Sequence, residues 1–244
     1  MAPTPPRDST TGGRDTLAIV PAYNESECIA DVIGELRRCV PDCDIVVVDD
    51  RSTDDTTDRV RACGAGLLRL PFNLGIGGAV QTGFRYARRC GYRYAFQFDG
   101  DGQHPADEVA RLLGPLRADE ADVVIGSRFL EKKGFQSTAL RRIGIHLFQG
   151  LSRVTSAHRI SDTTSGFRAY NARAFSFLAD NYPSDYPEVE AITLLSRRGF
   201  RIVEVPVAMR ERQGGVSSIS TPRSLYYLVK VSLASLVSVG KRRG

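Results

Sequence analysis

The stretch YRYAFQFDGDGQHP, Tyr92–Pro105, changes character abruptly at Asp99. Up to Phe98 it is aromatic and apolar enough to be a strand buried in a sheet, whereas from Asp99 onward carboxylates, glycines and an amide follow one another. Strands that break into polar, glycine-bearing loops are characteristic of open α/β sheets, whose ligands gather beyond the carboxyl ends of the strands. The same event occurs twice nearer the amino terminus. TLAIVPAY, Thr16–Tyr23, reads as a buried strand running into PAYNE, Pro21–Glu25, and DIVVVDD, Asp44–Asp50, runs into DDRSTDD, Asp49–Asp55. Between these strands the apolar period becomes helical. Ser26–Val40 places Ile29, Val32, Ile33 and Leu36 on one face, with Ser26 as the expected N-cap. Thr53–Cys63 reads as a helix, Gly66–Leu70 as a third strand and Gly78–Cys90 as another helix. The alternation predicts an α/β domain with a mainly parallel central sheet and helices on both faces.

Composition narrows the function classes. A chain of 244 residues is long enough to bury a substantial single-domain core. Its 33 basic and 28 acidic side chains leave a formal charge of +5, which excludes a nucleic-acid-coating polycation and points to a local anionic partner. The five cysteines lack paired CxxC spacing and no signal peptide leads the chain, so reduced thiols in the cytoplasm are expected. Residues 1–14, rich in Pro, Thr and Gly, read as a disordered leader, followed by one folded domain over 15–215 and a flap with an amphipathic helix over 216–244. The segment NLGIGGAVQTG superficially resembles a dinucleotide fingerprint, but G-x-G-x-x-G starting at Gly75 would need glycine at Val80.

Each polar strand end, taken singly, reads as a helix cap or a turn; three at comparable strand ends read as a site. In an extended segment Asp99 and Asp101 would aim both carboxylates to one side, and Gly100 would leave room for close approach. A divalent cation would offset their repulsion, and hard oxygen ligands suit Mg2+ or Mn2+. His104, before Pro105, reads as a structural turn residue. Arg128, after the strand ADVVIGS, and Arg168, after the Gly166 turn, each present planar donors that match either phosphate oxygens or a structural salt bridge.

Seven ordered motifs carry a resemblance that runs from about Thr16 to Ser218: IVPAYNE, IVVVDDRSTDDT, FNLGIGGAVQTGF, QFDGDGQHP, ADVVIGSRF, DTTSGFRAY and EVPVAMRERQGG. Together they resemble glycosyltransferase family 2, with its GT-A fold, and within it the polyprenyl and dolichyl phosphate sugar synthases. The resemblance implies that Pro21, Ala22, Tyr23, Asn24, Glu25, Asp49, Asp50, Gly75, Asp99 and Gly100 face the nucleotide sugar. It implies that Asp99, Asp101 and Gln103 hold the metal, Gln103 through a neutral oxygen. Arg128, Ser165, Arg168 and Arg212 would surround the acceptor phosphate, and Asp99, Asp101, Arg128 and Arg212 would carry the catalysis. The expected reaction is inverting transfer from a nucleotide sugar, UDP-linked before GDP-linked, to polyprenyl phosphate, with no nucleic acid involved.

This chain departs from that resemblance in two places. Ser218 stands where many relatives carry a lysine. The run Leu225–Val239 is interrupted by Lys230 and falls short of the roughly 20 apolar residues a spanning helix needs. Leu225, Leu228, Val229, Leu236 and Val239 fall near one helical stripe followed by Lys241, Arg242 and Arg243. That tail reads as a helix packed on its own domain, an interfacial helix at the inner face of a membrane, or a dock for a small membrane protein. Two other functions stay open: transfer to a hydroxyl, with Glu188 or Glu190 of YPEVE as base rather than as a charge at a helix start, and a nucleotide-sugar-binding subunit without activity.

Overall fold

The computed structural model describes residues 14–130, 160–183 and 187–210. Residues 1–13 of the expected leader, Arg212, Ser218 and the flap and helix expected over 216–244 lie outside these residues. Seven strands form one sheet: β1 (Thr16–Ala22), β2 (Cys43–Asp49), β3 (Gly66–Arg69), β4 (Tyr94–Gln97), β5 (Val123–Ser127), β6 (Arg168–Asn171) and β7 (Ile202–Pro206), in the order β3-β2-β1-β4-β6-β5-β7. The helices are α1 (Ile29–Cys39), α2 (Thr56–Ala62), α3 (Gly75–Arg89), α4 (Val109–Arg117), α5 (Ala172–Asn181) and α6 (Pro187–Arg197). The α/β, mainly parallel architecture expected of a GT-A fold is present.

Strand periodicity explains the two core layers. Side chains alternate across a pleated strand, so Leu17 and Ile19 of β1, Ala95 of β4 and Val123 and Ile125 of β5 enter a layer with Phe84 of α3, Phe175 and Leu178 of α5 and Leu195 of α6. Their neighbours Ala18, Val20, Phe96 and Val124 enter the opposite layer with Ile33 and Leu36 of α1 and Leu112 and Leu116 of α4. Strands buried on both faces have no polar alternation, which is why they read as continuous apolar runs.

Register places the polar ends together. Ala22 pairs with Asp49, so PAYNE and the second-strand aspartates leave the sheet side by side. Ile19 pairs with Gln97, which brings the DGDGQ loop to the same edge. β6 is the exception to parallel pairing, running antiparallel between β4 and β5 with Gln97 opposite Arg168 and Ile125 opposite Arg168. Because it runs backwards, the DTTSGF segment before it arrives at the edge where β4 and β5 end.

Helix starts depart from the local reading, and at α1 and α3 the departure involves a long-range contact. α1 begins at Ile29 rather than after Ser26; Cys28 occupies its N-cap with no side-chain hydrogen bond, and the Glu25 carbonyl accepts the N–H groups of Cys28 and Ile29. The Ser26 N–H instead donates to Asp54 Oδ2. α2 begins at Thr56 rather than Thr53, and Asp54 Oδ1 accepts the Thr56 N–H. α3 begins at Gly75, ahead of Gly78, because the Asp50 carboxylate accepts the N–H groups of Leu74 and Gly75 at 2.7 and 2.8 Å. No local cap could have revealed that start.

The α3 helix reaches the sheet through Gly83. A methyl there would lie 2.3 Å from Ile19 Cγ2, a branched atom held between strands. Gly83→Ala is therefore expected to destabilise the fold by roughly 1–3 kcal/mol, the range for overpacking a filled core. Urea unfolding checks this, and an unchanged midpoint would show that α3 can lift from β1 without cost.

Candidate active site

Beyond β1 and β2 the chain ties itself together before it offers anything to a ligand. Asn24 adopts a left-handed φ of 55°, which suits Asn better than most side chains. Its Oδ1 accepts the Thr53 N–H at 2.8 Å, and its own N–H donates to Ser52 Oγ at 3.0 Å. Asp49 is fully enclosed, accepting the Ser52 N–H and Thr57 hydroxyl at 3.0 Å and facing Arg69 Nε at 3.3 Å. Asp49, expected to face the nucleotide, thus braces the loop from beneath. Burial pushes the Asp50 carboxyl up, against the N–H groups of Leu74 and Gly75 that favour its charge. Pro21 and Ala22 are buried in β1, whereas the Tyr23 ring is 45% exposed at its end. Gly75 has φ 75° and spends its N–H on Asp50.

The acidic loop begins after β4 ends at Gln97, so Asp99 and Asp101 lie beyond the strand, Asp101 in a turn, rather than in the extended segment that their spacing implied. Gly102, with φ 75°, permits that turn. Gln103 donates its N–H to Asp101 Oδ1 at 3.0 Å, and its carbonyl accepts the Arg210 N–H. The room left by Gly100 is taken by the chain itself: a methyl there would lie 3.3 Å from the Pro21 carbonyl oxygen and 3.6 Å from Glu25 Cγ. His104 is buried, stacked on Phe167 with ring centroids 4.6 Å apart and edge-on to Phe98. Its Nδ1 accepts the Asp99 N–H at 3.0 Å, which leaves the proton on Nε2, 3.4 Å from Asp99 Oδ2. His104 thus holds both ends of Asp99, consistent with its reading as a structural turn residue.

Gln97 and Gly166 complete the setting of Asp99. Gln97 Nε2 donates to Asp99 Oδ1 at 3.1 Å. A methyl at Gly166 would lie 2.9 Å from Gln97 Nε2 and 3.3 Å from Asp99 Oδ2, so glycine is what lets the loop before β6 close over the carboxylate. The Asp99 side chain remains 29% exposed and Asp101 is buried. Among the described residues no three His, Cys, Asp or Glu side chains converge as a closed metal cage. Two carboxylates and the neighbouring Gln103 oxygen nonetheless fit Mg2+ or Mn2+, which take one or two carboxylates and leave positions for substrate phosphates.

Arg128 follows β5 and binds Asp162 side-on, with Nε and Nη2 each 2.7 Å from a carboxylate oxygen and Nη2 also 2.9 Å from Thr164 Oγ1. Arg168 and Ser165, expected near the acceptor phosphate, are both enclosed. Arg168 is 2% exposed and donates to the carbonyls of Ser165, Glu188 and Thr163 at 2.7, 2.7 and 2.9 Å. Three of its five N–H donors thus go to backbone carbonyls, which binds the guanidinium into the loop. Ser165 is buried, its Oγ accepting the Phe167 N–H at 3.2 Å within the same turn. Both support the site from beneath. Glu188 and Glu190 lie in the first turn of α6; burial pushes the Glu188 carboxyl up, Arg168 opposes the shift and Asp99 adds to it.

The profile of Glycosyl transferase family 2 matches residues 17–178. The undecaprenyl-phosphate mannosyltransferase of Micrococcus luteus is 35% identical over 213 residues, covering 84% of this chain and 87% of that protein. The polyprenol monophosphomannose synthase of Mycolicibacterium smegmatis is 32% identical over 220 residues, covering 84% and 81%. Among solved structures, glucosyl-3-phosphoglycerate synthase of Mycobacterium tuberculosis, crystallised with Mn2+, uridine diphosphate and phosphoglyceric acid, superposes with a TM-score of 0.68 at 22% identity, over 93% of this chain and 78% of that one.

The closeness of Gly166 to Asp99 makes a separable prediction. Gly166→Ala is expected to displace the Gln97–Asp99 pair and lower turnover by roughly tenfold to a hundredfold, the cost of misplacing a reacting group by about 1 Å. Its melting temperature should fall much less than that of a core variant. Wild-type turnover would show that the Gln97 amide absorbs the methyl while Asp99 stays in place.

Proposed function

Because the chain belongs to glycosyl transferase family 2 and is a glycosyltransferase, we propose that it moves a hexose from a nucleoside diphosphate to a polyprenyl phosphate with inversion at the anomeric carbon. The observation that carries this reading is the placement of Asp99 and Asp101 beyond β4 and Arg128 beyond β5 on one sheet edge. A donor diphosphate held at the first would share that edge with a guanidinium suited to a second phosphate. The two relatives named for lipid-phosphate mannosyl transfer support the acceptor class and make mannose the first sugar to test.

The exposed Tyr23 ring, with Asn24 and Asp50 behind it, forms the nucleobase end of the site, taken first as a uridine site. Asp99, Asp101 and Gln103 would hold a divalent cation, which supplies charge stabilisation to the departing nucleoside diphosphate. Arg128, with Arg212 from beyond the described residues, orients the acceptor phosphate. A phosphate oxygen forms the bond to the anomeric carbon as the bond to the donor diphosphate breaks, and that electron pair leaves with the nucleoside diphosphate. A monophosphate with its second pKa near about 6 is largely dianionic at neutral pH, so no protein base is required.

One observation favours the hydroxyl-acceptor reading: Glu188 is desolvated at the start of α6 and its carboxyl is pushed up by burial, a direction useful in a base. A screen of UDP- and GDP-sugars against undecaprenyl phosphate, read by lipid extraction, separates the two. On the phosphate reading, transfer requires Mg2+ or Mn2+, Asp101→Asn nearly abolishes it, Arg128→Ala reduces it with donor affinity kept, and Glu188→Gln is mild. Full activity in EDTA defeats the metal assignment. A loss of roughly 10²- to 10⁴-fold confined to Glu188→Gln, with normal turnover in Arg128→Ala, defeats the phosphate acceptor.

The acceptor places the reaction at a membrane surface. No helix among the described residues is long and apolar enough to cross a bilayer, and the stripe from Leu225 to Val239 with its basic end is proposed as the interfacial attachment, directly or through a small membrane protein. Removing residues 223–244 should reduce sedimentation with anionic vesicles. Equal sedimentation of the full-length and shortened chains would assign attachment to another surface.

A further inference from the structure

We infer that Asp162 and Glu204 are positioning residues that set Arg128 for the acceptor phosphate, an inference that rests on the acceptor reading above. Asp162 is completely buried, a costly place for a carboxylate unless it is paired and hydrogen-bonded. Its Oδ2 accepts both the backbone N–H of Arg128 at 3.1 Å and the side-chain Nε–H at 2.7 Å. Oδ1 accepts from Nη2 at 2.7 Å and from the Thr164 hydroxyl at 3.3 Å. One carboxylate therefore fixes the main chain and the side chain of the same arginine. The second Nη2 hydrogen goes to Thr164 Oγ1.

Of the five N–H donors on a guanidinium, this arrangement uses three. The two on Nη1 make no hydrogen bond among the described residues, and the side chain is 14% exposed. An arginine bound side-on in this way has its Nη1 edge committed to one direction. A mobile arginine would have to surrender that freedom when it met a phosphate, and pre-organisation removes much of that cost. With Asp162 balancing its charge, Arg128 contributes direction and directional hydrogen bonds more than net attraction.

Glu204 of β7 holds Asp162 in turn. Its Oε1 accepts the Asp162 N–H and the Ser161 hydroxyl at 2.8 Å each, and its Oε2 accepts the Ser161 N–H at 2.7 Å. Ser161 Oγ also lies 2.9 Å from Ser127 Oγ, beside Arg128 in sequence. The path thus runs from a rigid strand through a pinned loop to the arginine, with every contact at hydrogen-bonding distance.

The test is steady-state transfer to undecaprenyl phosphate by Asp162→Asn, Arg128→Ala and the double variant, with donor KM and thermal unfolding measured beside it. Asp162→Asn keeps the shape but sets an amide against donors, and should raise the acceptor KM by roughly tenfold to a hundredfold, the scale of a lost hydrogen bond to a charged group. Donor KM should stay within about twofold. In the Arg128→Ala background the same change should add almost nothing, because Asp162 acts only through that arginine. Thr164→Val, milder for folding, should shift the acceptor KM severalfold in the same direction and also fall silent in that background. Glu204→Gln should behave as a weaker Asp162→Asn.

Equal costs of Asp162→Asn with and without Arg128 would overturn the inference, since the residue would then act on the fold at large. A fall in acceptor KM would also overturn it, because Asp162 would then compete with the phosphate for Arg128. If Arg128→Ala itself leaves acceptor KM unchanged, the acceptor reading fails first and takes the inference with it; a large Arg128→Ala effect with an additive Asp162→Asn effect refutes the inference alone.

Discussion

The antiparallel run of β6 between β4 and β5 is the constraint from which the site follows. In a wholly parallel sheet, the loop leading into a strand lies at the edge opposite the loops that leave its neighbours. Reversal of this strand delivers Asp162 to Phe167 to the edge where Asp99 and Arg128 emerge. The small residue at 166 then allows that loop to close over Asp99, and the carboxylate at 162 receives Arg128. Either contact would be lost if β6 ran the other way, however well the individual motifs were kept.

Buried ionic groups provide much of the local order around this edge. Asp49, Asp162 and Arg168 are all enclosed, and each is surrounded by complementary donors or acceptors. Such groups contribute little net stability compared with apolar packing of the same volume, but removing one partner strands the other without solvent. Their use here is geometric. A hydrophobic contact tolerates sliding, whereas a carboxylate taking three or four directed bonds admits one loop conformation. The apolar layers supply the cohesion, and the buried charges define where the polar loops stand.

The strands and the convergence of their polar ends were legible because burial on both faces writes itself as an uninterrupted apolar run, and the acidic loop breaks that run visibly. Asp50 and Arg168 show where this legibility ends. The start of α3 is set by a carboxylate from β2, and nothing near Gly75 announces it. An arginine beside a glycine turn looks the same whether it meets a phosphate or three carbonyls of its own backbone. The braces of Asp99 and Arg128 were missed for the same reason: Asp162 reaches Arg128 across 34 positions and Glu204 reaches Asp162 across 42. The pattern DTTSGF before a strand is the local trace of that arrangement, but its partners exist only in three dimensions.

The three-way grip of Arg168 has a mechanical consequence. It joins the carbonyls of Thr163 and Ser165 to that of Glu188, 20 positions beyond Arg168 itself, so it fastens the chain into a ring that encloses β6 and α5. None of the five cysteines forms a disulfide. The segment is fully released only when all three bonds from that one planar group are lost, which favours yielding as a unit over fraying residue by residue. Its integrity is therefore indifferent to thiol reductants and sensitive to agents that compete for peptide carbonyls, guanidinium above all.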